Sequence, residues 1–138
     1  MSPRATSKQN AAEAAAPSKL RIIPLGGVEE IGKNMTVFEY EDDIIIVDVG
    51  SIFPKEDMLG VDLVIPDVSY LVQKQKNVRG YVFTHGHEDH IGATPYILRQ
   101  VPAPIYGTKL TMALVDIKLK EHRVNGIPFH VVKPRDEI

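Results

Sequence analysis

Residues 81–92 read Tyr-Val-Phe-Thr-His-Gly-His-Glu-Asp-His-Ile-Gly. Three of the five histidines, His85, His87 and His90, fall within six positions, with Asp89 among them. The pattern H-x-H-x-D-H follows an apolar run, Tyr81-Val82-Phe83, and is punctuated by glycine. That order reads as a buried strand ending in a loop, and a loop at a strand end is where a scaffold presents ligands. In an extended segment residues i and i+2 share a face, so His85 and His87 can reach one ion. Asp89 and His90 come after the bend and can point to a second ion beside it. Imidazole nitrogen and carboxylate oxygen suit Zn²⁺, or failing that Mn²⁺ or Fe. Two such ions roughly 3.5–4 Å apart clamp a phosphoryl or carbonyl centre. A solvated histidine-rich loop is the plainer alternative. Three histidines at this spacing with an aspartate, directly after a buried strand, argue against it.

Composition narrows the chemistry. There is no cysteine, which excludes disulfides and thiolate metal sites, so any metal must use histidine and carboxylate. A length of 138 residues suits one domain, and 43% hydrophobic with 25% charged residues is ordinary for a soluble globular chain. No apolar run approaches the ~18–20 residues of a membrane span, and the N-terminus lacks the apolar region of a secretory signal. A cytoplasmic protein with no membrane partner is expected. Charge is uneven. Residues 22–68 carry two basic against eleven acidic residues, whereas residues 69–138 carry ten basic against six acidic. A phosphate track needs basic residues. Lys118, Lys120, Arg123, Lys133 and Arg135 are the candidates, and solvated faces on a helix and a turn are the plainer reading of each.

In chain order, residues 1–18 are rich in Ala and Ser with no large apolar residue after Met1, and are expected to be a disordered tail. Residues 20–25, 35–40 and 44–48 read as strands. Ile44-Ile45-Ile46-Val47 has no polar face, which predicts a strand buried on both sides. Asp48 ends it, and a buried carboxylate needs partners. Residues 51–67 form a long irregular connection of the kind that is often functional. Asp67 is placed to cap a helix over residues 68–76. After the histidine cluster, Thr94-Pro95 opens a helix to about residue 100, residues 105–106 form a short strand, and residues 108–122 form a helix with Leu110, Ala113, Leu114 and Ile117 on its apolar face. Residues 128–132 form a last strand. His122, at a helix C-terminus, and His130, within a strand, have no ligand at motif spacing and are read as non-ligands.

The H-x-H-x-D-H motif resembles the second motif of the metallo-β-lactamase superfamily. Pro24-Leu25-Gly26-Gly27-Val28-Glu29-Glu30-Ile31-Gly32-Lys33-Asn34, Ile46-Val47-Asp48-Val49-Gly50, Phe53-Pro54, Asp57-Met58-Leu59-Gly60-Val61-Asp62 and Ile65-Pro66-Asp67, taken with that motif, are similar to the ribonuclease J family in the β-CASP branch. The resemblance covers roughly residues 20–138. It implies an α/β (α+β) fold over residues 19–138, the N-terminal half of an αβ/βα sandwich, with a mixed β-sheet and flanking helices. It implies two Zn²⁺ (or Mn²⁺) per complete site, with His85, His87, Asp89 and His90 as ligands and Asp89 and His90 also catalytic. Asp48, at the place of the family's first motif, would orient ligands. It further implies RNA as substrate, homo-oligomers of the full-length form, and a fragment that lacks later ligands and is inactive alone. A small-ester or thioester hydrolase with the same metal loop, and a non-catalytic interaction module that kept the motif, are the competing classes.

Overall fold

Three apolar runs separated by polar breaks begin the fold. The computed structural model of the protein describes residues 17–138, so most of the tail expected over residues 1–18 lies outside the described residues. β1 (Leu20–Gly26), β2 (Met35–Tyr40) and β3 (Asp43–Val47) pair as an antiparallel meander. β4 (Val78–Val82), β5 (Ile105–Gly107) and β6 (Phe129–Val131) then join in chain order, each parallel to the strand before it. A parallel step cannot be closed by a tight turn and needs a crossover. These crossovers hold α1 (Ser69–Gln73), α2 (Glu88–Ile91), α3 (Thr94–Gln100) and α4 (Lys109–Glu121). The product is the mixed sheet with flanking helices that the sequence implies.

Strand alternation builds the core. Register places Ile23, Val37, Ile46, Tyr81 and Ile105 in one row across the sheet. Leu71 of α1, Ile97 and Leu98 of α3, and Met112, Val115 and Leu119 of α4 complete the buried cluster. Full burial of such side chains contributes roughly 1.5–3 kcal/mol each, and this layer holds β4 rigid beneath the histidine cluster. The Tyr81 hydroxyl donates to the Val101 carbonyl at 2.8 Å, and burial pushes its phenol pKa well up.

Four expectations need correction. β3 is not buried on both sides: Ile44 and Ile46 are buried, but Ile45 is 45% exposed. Ile45 lies in the row of Ile22 and Phe38 on the other face of the sheet, which none of the described helices covers. An all-apolar run reports what both faces are made of, not what covers them. Second, the expected face of α4 points outward, with Leu110 73% and Ile117 53% exposed. The helix carries two apolar stripes. The one turned inward is Thr111, Met112, Val115 and Leu119, because Met112 packs over Gly107, where an added Cβ would lie 3.0 Å from its sulfur. Third, the helix expected over residues 68–76 splits into α1 and a 3₁₀ turn, Gln75–Asn77. Asp67 does accept from the Ser69 amide at 2.8 Å and hydroxyl at 2.6 Å at its start. Fourth, the histidine loop contains a helical turn of its own, α2.

Glu39 lies on the helix-covered face and is buried. Its carboxylate accepts from the Lys74 ammonium and the Tyr70 hydroxyl. Those two bonds, Lys74 foremost, hold its carboxyl below its ordinary 4.5. A carboxyl whose pKa is depressed on folding contributes stability that is complete above the unfolded-state pKa and is lost as pH falls through the folded-state value. Glu39→Gln is therefore expected to flatten the acid side of the stability curve, from about pH 4.5 downward. Urea unfolding of both proteins at pH 7 and at several pH values below 4.5 measures this. An unchanged acid slope would show that the cluster is electrostatically idle.

Candidate metal centre

The site stands at the ends of β3 and β4. Asp48 follows β3 directly and adopts a left-handed backbone, φ 63°. That conformation costs most residues roughly 1–2 kcal/mol, and Asp is among the few that visit it. The Asp48 amide donates to the Val82 carbonyl at 3.0 Å, which ties the residue to β4. Its side chain is 7% exposed. Burial at that level requires partners, and there are three. The Thr84 amide donates to Oδ1 at 2.8 Å, and the Thr84 hydroxyl and His90 Nδ1 donate to Oδ2 at 2.7 and 2.8 Å.

These bonds fix two imidazoles. A carboxylate only accepts, so the Thr84 hydroxyl proton goes to Asp48 and its oxygen is left to accept from His85 Nδ1, 3.0 Å away. His90 likewise spends its Nδ1 proton on Asp48. In the neutral ring this leaves Nε2 as the nitrogen with a free lone pair, as in a metal-binding histidine whose other nitrogen is held by an oxygen. The His85 and His90 ring centres are 4.0 Å apart and those of His85 and His87 4.7 Å apart. His90 Nε2 lies 3.4 Å from Asp89 Oδ2. His87 occupies the residue before α2 with extended backbone and is exposed. The four expected ligands thus share one patch. Among the described residues no three His, Asp or Glu side chains close on a single point. The donor set fits a divalent cation in chemistry and in its facing pairs, not as a finished cage.

Main-chain bonds lock the patch. Val49 donates to the His90 carbonyl at 2.7 Å, Ser51 to that of Glu88 at 3.2 Å, and Ala93 to that of Val49 at 3.0 Å. Gly50 is required: a Cβ there would lie 1.7 Å from the Asp89 carbonyl oxygen. α4 braces the other side. A Cβ on Gly86 would stand 2.5 Å from Leu114 Cδ1, and the Lys118 ammonium pairs with Glu88. Lys118, a candidate phosphate contact in sequence, is thereby engaged. His122 packs edge-to-face with Tyr96, and His130 stacks on Tyr106. Sequence reasoning gave no role to Thr84 or Asn34. A hydroxyl directly before the first histidine is the one signal for Thr84; Asn34 is marked only as the last residue of the glycine-bracketed loop that carries the resemblance.

The profile of the metallo-beta-lactamase superfamily matches residues 28–121, a span that holds the whole patch. The chain belongs to that superfamily. Within it, the chain is 51% identical over 106 residues to a protein named ribonuclease J 2 from Staphylococcus saprophyticus, and 48% identical over 106 residues to one of the same name from Staphylococcus aureus. Each match covers 77% of this chain and 19% of the relative, so the chain spans about a fifth of the length of these relatives. Among solved structures, unliganded yeast PDE1 aligns with a TM-score of 0.51 at 14% identity, over 87% of this chain and 52% of that one, a likeness of fold.

Proposed function

We propose that this chain is part of a metal-dependent ribonuclease and carries part of its metal centre. The observation that carries the reading is its similarity to relatives named ribonuclease J 2 across most of the chain. The oriented histidine patch supports it. Further ligands would come from elsewhere in the full-length protein, which we take to be a cytoplasmic homo-oligomer acting on RNA.

In this reading His85 and His87 hold one ion and Asp89 and His90 hold another, with Zn²⁺ the first choice for such a donor set and Mn²⁺ the second. Bound metal would supply Lewis acidity and a water of lowered pKa. The protein's own contribution is orientation. Asp48 and Thr84 hold the His85 and His90 rings by Nδ1 and leave each Nε2 free of those bonds. In this reading Asp89, whose Oδ2 lies 3.4 Å from His90 Nε2, also orients the proton of the attacking water. In-line attack on phosphorus by water needs no ribose 2′-hydroxyl and leaves a 5′-phosphate on the downstream product.

The test uses the full-length protein with a 5′-monophosphorylated RNA, the same RNA with one 2′-deoxy position, and a thioester. Cleavage of both RNAs to products bearing 5′-phosphates is expected. Products ending in 2′,3′-cyclic phosphate would refute the mechanism, and turnover of the thioester alone would make the protein a small-molecule hydrolase.

A further inference from the structure

Asn34 closes the loop after β1 and stands between the two segments that form the patch. Its amide donates to the Asp89 carbonyl at 3.0 Å, and its own carbonyl accepts from Gly50 at 2.9 Å. It therefore bridges the turn after Asp48 and the first turn of α2. Its side chain points the same way. Nδ2 lies 3.1 Å from the Asp89 carbonyl oxygen, 3.2 Å from Asp89 Oδ2 and 3.3 Å from His90 Nε2. Because His90 Nδ1 gives its proton to Asp48, Nε2 is an acceptor and the Asn34 amide is the donor.

Two glycines make room for this residue. A Cβ on Gly27 would lie 2.6 Å from Asn34 Oδ1, and one on Gly50 would lie 2.7 Å from the Asn34 amide nitrogen. Gly27 also has φ +85°, a backbone closed to most side chains. Gly27 and Gly50 thus both leave room for Asn34 against Asp89.

We propose that Asn34 is a positioning residue for the metal centre, fixing Asp89 by both its main-chain carbonyl and its carboxylate and keeping Oδ2 beside His90 Nε2. The inference rests on the metal-centre reading above. The amide has two N–H groups and three acceptors within 3.3 Å. One contact is therefore surplus, and the longest, to His90 Nε2, is the one released when that nitrogen takes a ligand. The two bonds to Asp89 remain and keep a flexible carboxylate from turning to solvent. An aspartate that is pre-oriented loses less freedom on binding a cation, so the gain falls on affinity and not on the number of ions bound.

The test strips the full-length protein of metal and titrates it with Zn²⁺ against a chromophoric chelator, comparing wild type, Asn34→Ala, Asn34→Leu and His85→Ala. The Asn34 variants are expected to reach the wild-type number of ions at saturation, with the affinity of one ion weakened by about 10-fold or more. His85→Ala, the control for the metal centre itself, is expected to lose an ion. Urea unfolding of the metal-free proteins separates the roles: a residue that is only structural lowers metal-free stability and leaves the chelator competition unmoved. Gly27→Ala, which drives a methyl group at Asn34 Oδ1, gives the same reading if the Asn34 variants do not fold. Wild-type affinity in the Asn34 variants and in Gly27→Ala, alongside a lost ion in His85→Ala, overturns this proposal and leaves the metal centre standing. No metal uptake by wild type, or none lost in His85→Ala, overturns both.

Discussion

His85→Ala and His87→Ala should each lower the metal content of the full-length protein by about one ion per chain, since each removes one of the few nitrogen donors such a site has. On the proposed function, RNA cleavage should fall with it to the level of the chelated protein. Both residues are exposed and neither belongs to the buried cluster. Surface substitutions of this kind shift stability by no more than about 0.5 kcal/mol, so the metal-free variants should unfold with the metal-free wild type. The difference appears on adding metal. A ligand that binds only the folded state at 100 times its Kd stabilises by about 2.7 kcal/mol, and the variants should lose most of that increment. Elemental analysis by mass spectrometry, paired with unfolding curves with and without metal, measures both halves. Unchanged stoichiometry in the two variants would end the assignment of these histidines as ligands.

What could be read from the sequence follows the range of the physics involved. The strands were legible because alternation and apolar runs are local signals, as in residues 35–40 and Tyr81-Val82-Phe83, although β4 already begins at Val78, in residues that the sequence reads as a turn. The histidine patch was legible because its spacing is itself short-range. Facts that depend on a distant neighbour were not. Ile45 reads like Ile44 and Ile46, and only the position of the helices makes it the exposed one. α4 offers two apolar stripes, and the contact of Met112 with Gly107, outside the helix, selects between them. Asn34 lies 55 residues before Asp89, so its amide bonds exist only once β1, β3 and α2 have been brought together. Thr84 needed both a neighbour in sequence, His85, and one 36 residues away, Asp48.

Asp48 carries the other large effect, and its backbone decides which substitution is informative. Asp48→Ala would remove the carboxylate and also force alanine into a left-handed conformation, φ 63°, at a cost of roughly 1–2 kcal/mol. Lost metal binding in that variant would be confounded by strain. Asn tolerates this conformation and has the same shape. In Asp48→Asn the amide oxygen can still accept from the Thr84 N–H, but the position of Oδ2, which receives the Thr84 hydroxyl and His90 Nδ1, becomes a donor. His90 then accepts at Nδ1, so its proton moves to Nε2, the atom that faces Asp89 and Asn34. A protonated Nε2 cannot ligate. Thr84 must likewise turn its hydroxyl, which disturbs His85. The expected outcome is a loss of metal affinity of about 10–100-fold, the range seen when a ligand's orienting partner is removed. Metal-free stability should stay within about 1 kcal/mol of wild type. Asp48→Ala should lose affinity and stability together. Chelator competition and urea unfolding on both variants measure this. The orienting role of Asp48 fails if Asp48→Asn binds metal as tightly as the wild type.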